Sequence, residues 1–115
     1  MESTARGLAA ALSRLRDIHP DMTVLQAQML FVIACHEGLS QRECYSLVGT
    51  NDSTASRVLA ILSDIGGRSV APMHLVAVRV NPEDRRERVL SLTRKGNNLL
   101  KDIQRDLTGG AHAYS

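Results

Sequence analysis

A chain of 115 residues with 43% hydrophobic side chains has room for one domain with a core and not for two. One Phe, two Tyr and no Trp leave that core to aliphatic residues, and a net charge of +2 is too small to point to a polyanionic partner by itself. Two cysteines exclude a disulfide scaffold, and the longest apolar run, Met29 to Cys35, falls far short of the ~20 residues that a membrane span needs. A reducing, cytoplasmic setting without a leader or membrane segment is the expectation.

Ser3 or Thr4 is placed to cap a first helix whose Leu8, Ala11, Leu12, Leu15 and Ile18 share one stripe, and Pro20 blocks its continuation. Thr23 and Gln26 form a capping-box pair before "AQMLFVIACHEG", a helix apolar on nearly every side that predicts all-round burial and ends at Gly38. Ser40 and Glu43 repeat the box for a short helix with Cys44, Leu47 and Val48 inward, closed by Gly49. Thr50, Asn51 and Asp52 then offer caps for "STASRVLAILSDIGG", a longer helix reaching Ile65 and stopped by Gly66 and Gly67.

Past a Gly/Pro-containing loop, "HLVAVRV" alternates with Val76, Val78 and Val80 on one face, and "ERVLSLT" answers with Leu90 and Leu92. The Asn-Pro turn between them makes an antiparallel hairpin with a basic tip. From Arg79 to Lys95 six basic residues (Arg79, Arg85, Arg86, Arg88, Arg94, Lys95) stand against three acids (Glu83, Asp84, Glu87). Thr93 caps a last helix striped by Leu99, Leu100, Ile103 and Leu107. Residues 1–108 are therefore expected to form one mainly α winged helix-turn-helix domain with a small antiparallel hairpin, and 109–115 a flexible tail.

On a wheel of about 100° per residue, Ala55, Val58, Leu59 and Leu62 cluster, while Ser53 and Arg57 point away and Ser56 flanks them. Small polar residues let a helix sink into a major groove, where Ser, Thr and Arg reach phosphates or base edges, and arginines suit the focused potential of a narrow minor groove. Ser53, Thr54, Ser56 and Arg57 on the helix, with Arg85, Arg86 and Arg88 on the hairpin, are the expected contacts to double-stranded DNA. The plainer alternative is an ordinary amphipathic helix beside a solvated turn.

Three segments resemble the MarR family of winged-helix transcription regulators. "MTVLQAQMLFVIA" is similar to its second helix, "DSTASRVLAILSDIG" to its recognition helix with an internal Ser-Arg, and "DRRERVLSLTRKG" to its wing signature of Asp-Arg-Arg, five residues, Leu-Thr, two residues and Gly. The likeness spans roughly residues 21 to 100. It implies that Asp84 orients Arg86 for the minor groove, that Ser56 and Arg57 occupy the reading positions of the recognition helix, and that the protein is a repressor-like homodimer open to a small-molecule effector. Two departures stand out: "GRSVAP" lengthens the path from recognition helix to wing, and only about fourteen residues, ~21 Å of helix, follow Thr93 before the glycines.

Because one winged helix covers few base pairs, two-fold pairing is expected, with Leu8, Leu12, Leu15, Leu99, Ile103 and Leu107 available either for a dimer seam or for the monomer core. Cys35, His36 and Cys44 lack a fourth partner at metal-site spacing, so both thiols are expected to be buried hydrophobes. His19 and His74 read as boundary residues, and no catalytic constellation or cofactor motif is present. The competing reading is a winged-helix module that binds another regulator or the transcription machinery, motivated by Asp52 and Asp64 at the ends of the fourth helix.

Overall fold

The computed structural model describes residues 1–110 and orders them as α1 (Glu2–Ile18), α2 (Val24–Cys35), α3 (Gln41–Val48), α4 (Asp52–Leu62), β1 (Val76–Asn81), β2 (Asp84–Leu92) and α5 (Arg94–Arg105), closed by one wider helical turn, Asp106–Gly110. The expected tail falls mainly on 111–115, which lie outside the described residues; Gly109 and Gly110 belong to the closing turn. Among the described residues no helix is long and apolar enough to cross a membrane.

Both capping boxes form. Thr23 Oγ1 accepts from the Gln26 amide at 3.1 Å while Gln26 Oε1 accepts from the Thr23 amide at 2.9 Å. Ser40 and Glu43 exchange the same pair of bonds at 3.0 and 2.9 Å, and donation by the Ser40 amide holds the Glu43 carboxyl below the usual carboxylate range. That depressed value means this cap contributes at neutral pH and is lost as acid protonates Glu43. The first helix departs from expectation: it starts at Glu2 with Met1 at the cap position and no side-chain cap, so Ser3 and Thr4 sit inside its first turn.

The apolar stripes of every helix meet in one core whose centre is Leu15, Met29, Leu30, Ile33, Leu62, Leu75 and Leu90. The α4 stripe is as the wheel predicts, with Ala55, Val58, Leu59 and Leu62 all buried. Its length is not: the helix ends at Leu62, and Ser63 to Ile65 form a turn, because the Ser63 hydroxyl bonds the Ala60 carbonyl and the chain reverses into Gly66 at φ +81°. The inserted loop that follows contains a two-residue turn at Arg68 and Ser69, with Gly67 and Val70 bonded to each other.

The candidate seam residues divide. Leu15, Leu99 and Ile103 are buried in the monomer, whereas Leu8, Leu12 and Leu107 remain 49%, 57% and 50% exposed. The closing turn packs on α1 at Gly7, so tightly that a Cβ there would stand 2.9 Å from the Asp106 carbonyl. Arg14 fastens the same contact, its Nε and Nη2 donating to the buried Asp106 carboxylate at 2.5 and 3.1 Å. These bonds raise the Arg14 pKa.

Helix α2 is not buried all round. Val24 is exposed, Phe31 and Val32 are half-buried, and with Leu12, Met22 and Ala27 they line an apolar groove of about 710 Å³ between α1 and α2. The two cysteines also part company, correcting the expectation that both are buried: Cys44 lies in the core and Cys35 is exposed at the mouth of the groove. Burial pushes the Cys44 thiol up to about 11, and a thiolate is the reactive form. A disulfide-exchange reagent at pH 8 should therefore titrate one thiol in the folded protein and two after unfolding; two fast-reacting thiols in the native state would contradict the placement of Cys44.

Candidate nucleic-acid interface

The hairpin is built as a wing with an irregular outer half. From Val76↔Leu92 to Val80↔Arg88 the strands pair in one register; the next pair is Asn81↔Asp84, so Arg85, Arg86 and Glu87 have no partner on β1. The turn itself is only Pro82 and Glu83. The arginines expected on a loop thus stand on β2, in a bulged stretch that throws them outward. Inward support comes from a contact the sequence did not signal: the strand-like link at Leu39 and Ser40 joins β2, with the Gly38 amide donating to the Leu90 carbonyl at 2.8 Å and the Leu90 amide to the Leu39 carbonyl at 2.9 Å. This fixes the start of α3 against the wing.

Asp84 organises the bulge. Its Oδ1 accepts from the Arg86 amide at 3.1 Å and lies 3.5 Å from Arg86 Nε, while the Arg86 side chain stays 95% exposed. An ion pair this exposed contributes ~0 to 1 kcal/mol, so its effect is on direction and not on stability. Arg88 is held differently, with Nη1 donating to the Arg85 carbonyl at 3.1 Å; it braces the wing backbone. Arg85 is exposed near the tip.

On α4, the Asn51 side chain caps the helix by accepting from the Thr54 amide at 2.9 Å, and Ser53, Ser56 and Arg57 are exposed while Thr54 is half-buried. Between α3 and the wing, reaching the first residue of α4, opens a polar concavity of about 750 Å³. It gathers Asp84, Arg86 and Arg88 from the wing, Gln41 and Arg42 from the start of α3, and Asp52 from the start of α4. Ser56 adjoins it through a 3.0 Å hydrogen bond from Gln41 Nε2. Ser53, Thr54, Arg57 and Arg85 do not line it; the first three stand on α4 and Arg85 near the wing tip.

Gln41 and Arg42 are therefore site residues that sequence reasoning missed. They lie in "SQRE", whose capping signal is complete in Ser40 and Glu43 and leaves nothing to mark the two residues between them. Among the described residues there is no cluster of three or more His, Cys, Asp or Glu placed to hold a metal ion.

No protein-family model matches the chain, and no curated protein does either. Solved structures match its fold throughout. The PcaV transcriptional regulator from Streptomyces coelicolor, in complex with its natural ligand, is 25% identical over 76% of this chain with a TM-score of 0.60. This chain spans only 57% of that regulator's length. The MepR–DNA complex of S. aureus superposes with a TM-score of 0.73 at 20% identity, covering 91% of this chain and 78% of MepR. The transcriptional repressor CouR, bound to a 23-mer DNA duplex, gives a TM-score of 0.66 at 20% identity over 97% of this chain and 72% of its own. PcaV is a transcriptional regulator and CouR a transcriptional repressor, MepR is seen in complex with DNA, and MarR itself is among the matching structures. Among the described residues, five helices and a two-stranded wing in this order give the chain the winged helix-turn-helix fold that these structures share.

Proposed function

We propose that the protein is a sequence-specific double-stranded DNA-binding transcriptional regulator that acts as a homodimer and represses by occluding a promoter. The observation that carries this reading is the polar concavity in which wing arginines, the start of α3 and Asp52 at the start of α4 come together, with Ser56 of α4 hydrogen-bonded to Gln41 at its edge. In this reading Ser53, Thr54, Ser56 and Arg57 enter the major groove, and Arg85 and Arg86, the latter directed by Asp84, reach the minor groove or its phosphates. Arg88, exposed in the concavity, is a further wing contact to the duplex in this reading, and Arg42 adds a phosphate contact beside it. MepR and CouR are DNA-bound in their own structures, which supports the assignment.

The dimer is proposed on the exposed Leu8, Leu12 and Leu107, which lie on α1 and on the closing turn packed against it and are too large to be left to water without cost. The groove between α1 and α2 has a volume typical of small-molecule sites and is the place we assign to an effector. Selection of bound sequences from a random DNA pool, with the mass of the protein in solution taken on the same sample, tests function and symmetry together. The expected result is a pseudo-palindrome with half-sites about 10 base pairs apart, bound by a dimer. Failure to enrich any sequence, together with negligible salt-insensitive binding, would turn the assignment toward a protein-binding module.

A further inference from the structure

Gln41 sits at the first position of α3, yet its side chain reaches across to α4. Nε2 donates to Asp52 Oδ1 at 3.3 Å and to Ser56 Oγ at 3.0 Å. The orientation of the amide follows from chemistry: an ionised Asp52 carboxylate only accepts, so the NH₂ end of Gln41 must face it, and the same NH₂ then faces Ser56. A serine hydroxyl has one hydrogen to give and two lone pairs to receive. With Gln41 donating to it from the α3 side, the Ser56 hydroxyl is an acceptor toward the protein and keeps its hydrogen for the exposed side of the helix.

Resting on the DNA-binding reading above, we infer that Gln41 is a specificity-determining positioning residue: it sets the Ser56 hydroxyl as a hydrogen-bond donor, so that Ser56 selects a keto base, guanine O6 or thymine O4, on the major-groove edge. A base presenting an amino group there, adenine N6 or cytosine N4, can use only the second lone pair of Oγ and leaves the hydroxyl hydrogen without an acceptor, so it is disfavoured. The same amide also occupies one oxygen of Asp52, which reduces the repulsion between that carboxylate and the DNA backbone. Gln41 need not touch DNA for either effect.

The test is bound-sequence selection with the wild type and with Gln41→Leu, Gln41→Glu, Ser56→Ala and the Gln41→Leu/Ser56→Ala pair. The wild type is expected to favour a keto base about fivefold to tenfold at one position of each half-site. Ser56→Ala and Gln41→Leu should each erase that preference while leaving the other positions of the motif intact, and the double variant should lose no more than Ser56→Ala alone. Gln41→Glu places an acceptor beside Ser56, draws its hydrogen inward, and should shift the same position toward an amino-bearing base. Thermal melting of each variant separates these outcomes from misfolding, and Gln41→Leu carries the test if Gln41→Glu does not fold. Identical motifs for wild type and folded Gln41 variants, or additive losses in the double variant, would overturn the inference while leaving DNA binding in place. A wild type that binds no DNA would overturn both readings.

Discussion

Replacing Gly96 by alanine is expected to destabilise the protein by about 2 to 3 kcal/mol, lowering Tm by roughly 15 °C in a thermal melt followed by circular dichroism. Two effects oppose each other. Gly96 lies in the first turn of α5, where alanine has the better helix propensity by ~1 kcal/mol. Its added Cβ, however, would stand 2.2 Å from the Leu75 carbonyl oxygen and 3.2 Å from that carbonyl's carbon. This carbonyl cannot swing aside freely, because it accepts the Thr93 amide at 3.0 Å, and the neighbouring His74 carbonyl accepts the Thr93 hydroxyl at 2.7 Å. The backbone itself must move, so overpacking outweighs propensity. The displaced strand is β1, whose start the Leu75 carbonyl precedes, and the damage should spread to the wing. A Tm within about 3 °C of wild type would contradict the close approach of α5 to the wing base.

That glycine was legible as part of a spacing, three residues after the capping Thr93, but its cause was not. Local pattern shows which residues can cap, alternate or fall on a stripe, and those features held: both capping boxes, the α4 stripe, the hairpin and the helix order. What pattern does not contain is who covers whom. The leucines of α1 and of the C-terminal segment looked equivalent until the closing turn covered Gly7 and left Leu8 and Leu12 out. An apolar circumference on α2 called for neighbours on every side, and α1 covers only some of it, which leaves Cys35 exposed. The left-handed backbone of Ser69 and His74, at φ 60° and 58°, has no signal in side chains that normally avoid it.

The candidate site follows the same division. The exposed Ser53, Ser56 and Arg57 and the outward Arg85 and Arg86 were readable from the wheel and from charge. Arg88, read as a contact on the same grounds, is exposed in the concavity and also donates to the Arg85 carbonyl, a bond that no local pattern signals. Gln41 escaped notice because its partners are 11 and 15 residues away, across a turn whose geometry no local motif encodes.

The second large effect concerns the wing. Changing Arg85 and Arg86 together to alanine should weaken binding to the selected DNA by about a hundredfold, at ~1 to 3 kcal/mol for each lost arginine contact. Stability should hardly change, since both side chains are exposed and Arg86 makes only a surface pair with Asp84. Each contact to a phosphate also releases counterions, so the loss carries a signature that misfolding does not: the slope of log affinity against log salt becomes shallower by about 2 units. Changing Arg57 to alanine, on α4, should make it shallower by about 1.

Everything functional here depends on α4 and the wing engaging one duplex at the same time. The salt dependence of affinity, measured by fluorescence anisotropy for wild type, Arg57→Ala, Arg85→Ala/Arg86→Ala and the triple variant, tests that claim most directly. Shallower slopes for both single-surface variants, with the triple variant shallower than either, are the predicted result. A slope that responds to substitutions on one surface and ignores those on the other, in proteins with unchanged melting temperatures, would contradict it.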